Sequence, residues 1–465
     1  MIDFILDKDF IKGQNRTNEI VRDLTRILEL EDHPIERFES IPWTPSENEE
    51  HLKTEIGQQA VNAYGTIYSS ESLINHHLIK KFLPSKEDSP TEKPLFADFF
   101  SGAGGLGLGL EQAGFKSSFV SDHNKSALQT YYLNRDLPLE NYHLGDMKGI
   151  VENLDDYAIL KDTFLIAGGP PCQGFSMANR QPLLNDPRNE LYKDFLQVLE
   201  ETTPPFFILE NVRGMAKKRE EIEADMKRML GGKYKYCFLS LNAKNYDIPQ
   251  NRERLFIIGN RIGVNPEEIA NSIKSQGLGT KYSLKHALMG LPEIEAGTEF
   301  NQTLLENDRI GYKINKVNIP QTEYSNYIND SRTQEYVFNH KSRYNNDNDI
   351  EIFRRLPQGA NSLHESIQDI MKYKSRNDIF KDKYYRLKPD SISKAITSHM
   401  KFDCHMYIHP SQARGLSPRE AARIQTFPDD YIFMGRPNEW YQQIGNAVPV
   451  KLAKVLGNEI MKYWK

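Results

Sequence analysis

Between residue 94 and about residue 260, short apolar runs alternate with segments of helical spacing, and no other feature constrains the fold as tightly. Strands are predicted at Leu95–Phe100, Ser117–Ser121, Thr163–Ala167, Phe206–Leu209, Tyr236–Leu241 and Leu255–Gly259. Each is too short for a helix, and each is bounded by Gly, Pro or charged residues. Strand–helix alternation of this kind predicts an α/β fold, a doubly wound, Rossmann-like sheet with helices on both faces. Such sheets bind ligands beyond the carboxyl ends of their strands.

The rest of the chain differs in character. Residues 1–93 have helix-like spacing at Asn18–Leu30 and Leu52–Phe82, with breaks at Pro34, Pro42 and Pro45 and a linker-like Pro84–Pro90 stretch. This N-terminal extension is expected to be helical and carries no recognisable chemistry. Residues 262–385 are rich in Asn, Tyr, Lys and Ser with many turn signals, which predicts a smaller, irregular domain. Helical patterning returns at Leu416–Phe427 and Val448–Tyr463. The expected division is therefore 1–93, 94–261, 262–385 and 386–465, the last returning to the α/β domain.

Composition narrows the function classes. A hydrophobic content of 38% with 26% charged residues describes a soluble protein. There is no apolar run of membrane-spanning length, and the acidic Met1–Asp7 lacks the pattern of a signal peptide. Three cysteines, at 172, 237 and 404, offer neither a disulfide framework nor metal-ligand spacing. A reducing, cytoplasmic setting is expected, with no metal. The net charge of −5 is uneven: residues 1–93 hold 11 basic and 18 acidic side chains, which leaves the remainder at about +2. A near-neutral body can still hold a basic cleft.

Four stretches carry candidate chemistry. Phe164–Ala167 runs into Gly168-Gly169-Pro170-Pro171-Cys172-Gln173-Gly174-Phe175-Ser176, which presents a cysteine on a stiff turn past a strand end. A buried structural cysteine is the competing reading. Leu95–Phe100 leads into Ser101-Gly102-Ala103-Gly104-Gly105-Leu106, whose glycines allow close backbone approach to a ligand. Asp122, with His123 after it, then stands where an acid accepts from ribose hydroxyls, and Asp146 follows a further turn. Glu210 ends an apolar strand, where desolvation raises a carboxyl pKa; helix capping or pairing with Arg213 is the alternative. In the Gln250–Arg254 stretch a period of two puts Arg252 and Arg254 on one face and Glu253 on the other.

Taken in this order, the motifs of residues 94–465 resemble those of the DNA cytosine-5 methyltransferases of the bacterial restriction–modification type. Asp98–Gly105 is similar to the family's S-adenosylmethionine loop, Pro170-Pro171-Cys172-Gln173 to the nucleophile loop, Glu210-Asn211-Val212 to the Glu-Asn-Val signature, and Gln250–Arg254 to the two-arginine segment. Arg414–Pro428 is similar to the family's helix that braces the target-recognition region, and Gln443–Val448 to its last motif. The resemblance implies S-adenosyl-L-methionine as cofactor. Its expected contacts are Phe100, Ser101, Gly102, Gly104, Gly105, Leu106, Asp122 (ribose), His123, Asp146 (adenine), Pro171, Leu191, Asn446, Ala447 and Val448. His123 stands where well-known members carry a stacking Trp, which implies a weaker or differently oriented contact.

The resemblance also implies the reaction. Cytosine C5 is a poor nucleophile, and addition of the Cys172 thiolate at C6 activates it. Glu210 is expected at N3 and the exocyclic amine, Arg254 at O2, and Arg252 at a neighbouring phosphate. The base must be flipped from double-stranded DNA, with Gln173 and Ser176 on the DNA side. Residues 262–385, plausibly continuing to Lys394–Thr397, are expected to read sequence, with Arg343, Arg354 and Arg355 as candidate DNA contacts. A monomer, and a cognate restriction endonuclease acting separately, belong to the same expectation. The tRNA-directed branch carries a Cys-Phe-Thr tripeptide that 262–414 lacks. A catalytically dead regulator would lose Cys172 or Glu210, and a nicotinamide dehydrogenase gives that pair no role.

Overall fold

The protein is described by a computed structural model covering residues 92–135, 137, 141–171, 191–300, 305–317, 319–332, 334, 336–372 and 382–464. The N-terminal extension up to residue 91, together with Cys172, Gln173 and Ser176, lies outside the described residues.

Seven strands form one sheet: β1 (Leu95–Phe99), β2 (Lys116–Asp122), β3 (Tyr142–Leu144), β4 (Leu165–Gly168), β5 (Phe206–Val212), β6 (Lys235–Asn242) and β7 (Glu253–Asn260). Their order is β3-β2-β1-β4-β5-β7-β6. The first five are parallel; β7 runs antiparallel between β5 and β6. The chain leaves β1 toward one side of the sheet and crosses back at β4, so a crevice opens between these strands at their carboxyl ends. Register places those ends level: Phe99 pairs with Ser121 and Gly168, and Gly168 with Leu209.

Alternation along the strands explains the two cores. Phe96, Leu165, Phe206 and Ile208 face α1 (Gly105–Gln112), α6 (Pro266–Ser275) and α12 (Val450–Met461). Ala97, Phe99, Ile166, Phe207 and Leu209 face the other layer, which includes α4 (Leu191–Thr202) and α5 (Arg219–Leu230). Strands buried on both faces read as unbroken apolar runs, which is why the sequence located them. The first face also receives α2 (Lys125–Leu133), while α3 (Met147–Glu152) joins the second.

β3 and α11 (Pro437–Asn446) are among the elements that the sequence pattern does not show. β3 is three residues long, below the length at which alternation is visible. α11 carries Gln442 and Gln443 among few apolar residues and starts at an arginine rather than a usual N-cap residue. The expected boundary at 262 also falls too early. α6 buries Ile269, Ala270 and Ile273 in the sheet core beside Cys237 and Leu456.

Beyond α6 the elements are short, as the turn-rich sequence predicts: α7 (Leu284–Leu288), α8 (Glu323–Ile328), α9 (Asp347–Arg355) and an antiparallel pair, β8 (Gly311–Lys316) with β9 (Tyr336–Lys341). α10 (Pro418–Ile424) is buried along its whole length and holds these pieces together. Arg419 donates to the Phe338 carbonyl at 2.7 Å, Arg414 to the Ile294 carbonyl at 3.0 Å, and Arg423 to the Met289 carbonyl at 2.7 Å. No helix of the described residues is long and apolar enough to cross a membrane.

Candidate active site

A cavity of about 1280 Å³ opens over the carboxyl ends of β1, β2, β4 and β5, larger than one small ligand needs. Its walls bring together Phe100, Ser101, Gly102, Gly105, Leu106, Asp122, His123, Pro171, Glu210, Arg254, Asn446, Ala447 and Val448. Thirteen residues expected from separate motifs thus share one space.

On one side the chain leaves β1 through Phe100, whose φ of 53° already departs from a strand. Gly102 follows, and a Cβ there would meet nothing within 4 Å, so the backbone is bare toward the cavity. Asp122 ties this turn to β2, accepting from the Gly102 amide at 2.8 Å and the Asn124 amide at 2.7 Å. Burial pushes the Asp122 carboxyl above its ordinary pKa, against the pull of these amides. The exposed imidazole of His123 lies 3.4 Å from Asp122.

The glycines of this segment serve two purposes. A Cβ on Gly105 would overlap the Val448 carbonyl, and one on Gly109 would overlap Ala453. Their absence lets α1 lie directly on α12 and brings Asn446–Val448 to the cavity. Gly104, by contrast, is not on the cavity wall: its φ is +80°, and a Cβ there would meet Tyr131 and Arg135. The turn and the packing behind it account for this glycine.

Asp98, which opens the Asp98–Gly105 loop but has no role of its own in the motif reading, also lines this wall. It is 1% exposed, with the Gly107 backbone amide facing it and no side-chain hydrogen bond among the described residues. Burial pushes its pKa up to about 7, although Arg135 pulls the other way. A buried carboxylate at a cavity wall with only a backbone amide beside it fits a ligand that brings a cation or a further donor. Its sequence signal was an acid inside an otherwise apolar strand.

On the opposite side Glu210 and Arg254 face each other from adjacent strands, Oε1 to Nε at 2.9 Å. The Glu210 carboxyl is raised above its ordinary pKa: desolvation outweighs the opposing fields of Arg254 and Arg252. The Asn211 amide donates to the Pro170 carbonyl at 3.1 Å, so the Glu-Asn-Val strand holds down the Gly-Gly-Pro-Pro turn. Cys172 is the next residue after Pro171 in the chain. Glu253 points the other way, toward Ser240 and Arg213, as a period of two requires.

Arg252 corrects the sequence reading. It shares the Arg254 side of the strand but is fully buried, donating to the Gly445 carbonyl at 2.9 Å, the Ala447 carbonyl at 2.8 Å and the Ile396 carbonyl. It has no surface to offer a phosphate. It joins the α11–α12 turn to the 393–397 segment, aided by Gln250, which donates to Gln425 at 2.6 Å and accepts from the Ile396 amide.

Other expected residues stand apart from the cavity. Asp146 is exposed and caps α3 by accepting from the Gly149 amide at 3.0 Å. Leu191 opens α4 and is not among the cavity-lining residues. Arg343 donates to the carbonyls of Met400 and Phe402, both at 2.7 Å, and so is a loop brace. Arg354 and Arg355 are exposed on α9, paired with Glu351, and Arg355 also with Asp369. The cavity reaches further than expected toward the second domain, along Lys394, Thr397–His399, Asp403 and His405–Tyr407.

Comparison with known proteins matches this geometry to a family. A family model for C-5 cytosine-specific DNA methylases matches residues 95–462. The chain is 30% identical over 392 residues to the type II methyltransferase M.DdeI of Desulfomicrobium norvegicum, covering 79% of this chain and 88% of that protein. It is 31% identical over 377 residues to the type II methyltransferase M1.HphI of Haemophilus parahaemolyticus, covering 79% and 86%. In fold it is similar to a crystal structure from E. coli described as a prophage-encoded DNA modification methyltransferase, with a TM-score of 0.60 at 24% identity, covering 80% of this chain and 99% of that one. The chain belongs to the C-5 cytosine-specific DNA methylases and is a DNA cytosine-5 methyltransferase of the type II, restriction–modification kind.

Proposed function

We propose that the enzyme acts on a cytosine turned out of duplex DNA within one short sequence motif, through a covalent bond between Cys172 and C6, with S-adenosyl-L-methionine as methyl donor. The observation that carries this reading is the Glu210–Arg254 pair, 2.9 Å apart in the cavity beside the turn that Asn211 anchors. A carboxyl group whose pKa burial raises, next to a fixed guanidinium, matches the donor and acceptor edge of cytosine.

Gly102, Asp122, His123 and the Asn446–Val448 turn would hold the nucleoside part of the cofactor, and Asp98 its cationic amino-acid end. When bound, S-adenosyl-L-methionine supplies an electrophilic methyl group. The Cys172 thiolate forms a bond to C6, and the ring electrons move toward C5. Glu210 holds a proton at N3 as charge develops there, and Arg254 donates to O2. Once C5 carries the transferred methyl group, with S-adenosyl-L-homocysteine left as second product, loss of the C5 proton to water re-forms the C5–C6 double bond and releases Cys172 as thiolate.

The elements between α6 and residue 385 read the DNA sequence in this proposal, and residues 1–93 form a peripheral extension. The enzyme works as a cytoplasmic monomer and protects host DNA from a separate endonuclease. Expression in a methylation-free bacterial host, followed by genome-wide mapping of 5-methylcytosine, tests it. Full methylation of one short motif is expected. Unmethylated DNA, from a folded protein that binds S-adenosyl-L-methionine, would overturn the proposal.

A further inference from the structure

We propose that Phe402 is a wedge that enters the base stack of the bound duplex and takes the space left by the displaced cytosine, a role that rests on the function proposed above. The segment Thr397–Cys404 is built to present it. Met400 and Cys404 are fully buried, whereas Phe402 between them is 65% exposed and His399 is exposed beside it.

An exposed phenylalanine on a slack turn would mean little, but this turn is fixed on three sides. Arg343 holds the Met400 and Phe402 carbonyls, both at 2.7 Å, with its guanidinium over the Tyr441 ring. Behind it, Gly445 of α11 leaves no room for a Cβ against the Thr397–Ser398 backbone. The Phe402 amide donates to the His399 carbonyl at 2.9 Å, which closes the turn. The aromatic ring therefore projects from a rigid base, the arrangement a wedge needs if insertion is not to push it aside.

Place and charge select the occupant. Ser398, His399 and Asp403 of the same turn line the cavity that contains Glu210 and Arg254. The Lys401 ammonium lies 4.9 Å from the centre of the Phe402 ring, a cation next to an aromatic face. The one acid of the turn, Asp403, accepts from the His405 amide at 3.1 Å. A cation and a rigid aromatic side chain beside the cavity that holds Glu210 and Arg254 match a phosphate backbone and an opened base step.

The test uses the full-length enzyme and a duplex bearing its methylated motif, with 2-aminopurine at the target position. Emission from that base rises when it leaves the stack. Phe402→Ala is expected to lose most of this rise and to lower turnover by roughly 5- to 150-fold, while Phe402→Leu keeps much of both. Binding of S-adenosyl-L-methionine and the melting temperature should not change, since the side chain is exposed. An emission rise in Phe402→Ala equal to that of the wild type would overturn the wedge, whatever its turnover. A wild-type enzyme that neither methylates DNA nor releases the base would instead reject the function on which the wedge rests.

Discussion

The side-chain amide of Asn211 donates to the main-chain carbonyl of Pro170 across 3.1 Å, linking the strand that carries Glu210 to the turn that leads into Cys172. Asn211 is 3% exposed, so this bond is shielded from water. Asn211→Ala should leave cofactor affinity near wild type and lower kcat about 100-fold, the order expected when a reacting group loses its fixed position. Steady-state kinetics alongside calorimetric titration of the cofactor would show it. Wild-type kcat would mean that the turn is held by other contacts.

Replacing the sulfur of Cys172 tests the covalent step. A hydroxyl at that position is far less nucleophilic than a thiolate, so Cys172→Ser should lose nearly all turnover yet still bind S-adenosyl-L-methionine. Trapping on DNA containing 5-fluorocytosine, read as a protein–DNA adduct on a denaturing gel, should occur with the wild type and vanish in the variant. Normal turnover by Cys172→Ser would remove the covalent intermediate.

Asp98 predicts a pH dependence whose sign follows from its raised pKa. A carboxyl that titrates at about 7 in the fold, and at its ordinary value near 4 when unfolded, favours the folded state fully only below the unfolded pKa. That contribution is lost as pH rises toward 7. Asp98→Asn cannot ionise, so it should melt higher than the wild type above pH 7, by at most about 4 kcal/mol, and match it near pH 4. The same variant should bind S-adenosyl-L-methionine more weakly, because the ionised wild-type carboxylate is the group that would meet its cation. Parallel melting curves at every pH would contradict this account.

For Arg252, burial and phosphate contact make opposite forecasts. As a brace between three buried carbonyls, its replacement by Ala should destabilise the fold by roughly 3–5 kcal/mol, seen in denaturant unfolding. Lys should not rescue it, since a single ammonium cannot span the three acceptors. A phosphate contact would instead leave stability intact and make DNA binding less salt-dependent. That second pattern would show the guanidinium to be free.

Arg343 offers a similar contrast. Arg343→Ala should weaken DNA binding by loosening the 398–403 turn, without altering the slope of affinity against salt. A slope reduced by about one would restore it as a phosphate contact.

How far the chain could be read without coordinates depended on whether a residue's neighbours lie near it in sequence. The strand ends were legible because doubly buried strands are apolar throughout and stop at Gly, Pro or charge, as β4 does before Gly169 and β5 around Glu210. The Glu210–Arg254 pairing was legible only as two motifs: the antiparallel β5–β7 contact that joins them spans more than forty residues. Asp98 was legible only as the start of the glycine loop, because its burial arises from packing against Tyr131 and α1.

By itself the sequence determined the fold class, the order of the motifs and the chemistry that their residue types permit, because local periodicity and side-chain reactivity travel with the chain. Tertiary structure alone decided the use of each arginine: Arg254 faces the cavity, Arg252 is sealed inside, Arg343 is spent on a turn. A guanidinium takes carbonyls, carboxylates and phosphates alike, so its role depends on which acceptors folding brings within reach.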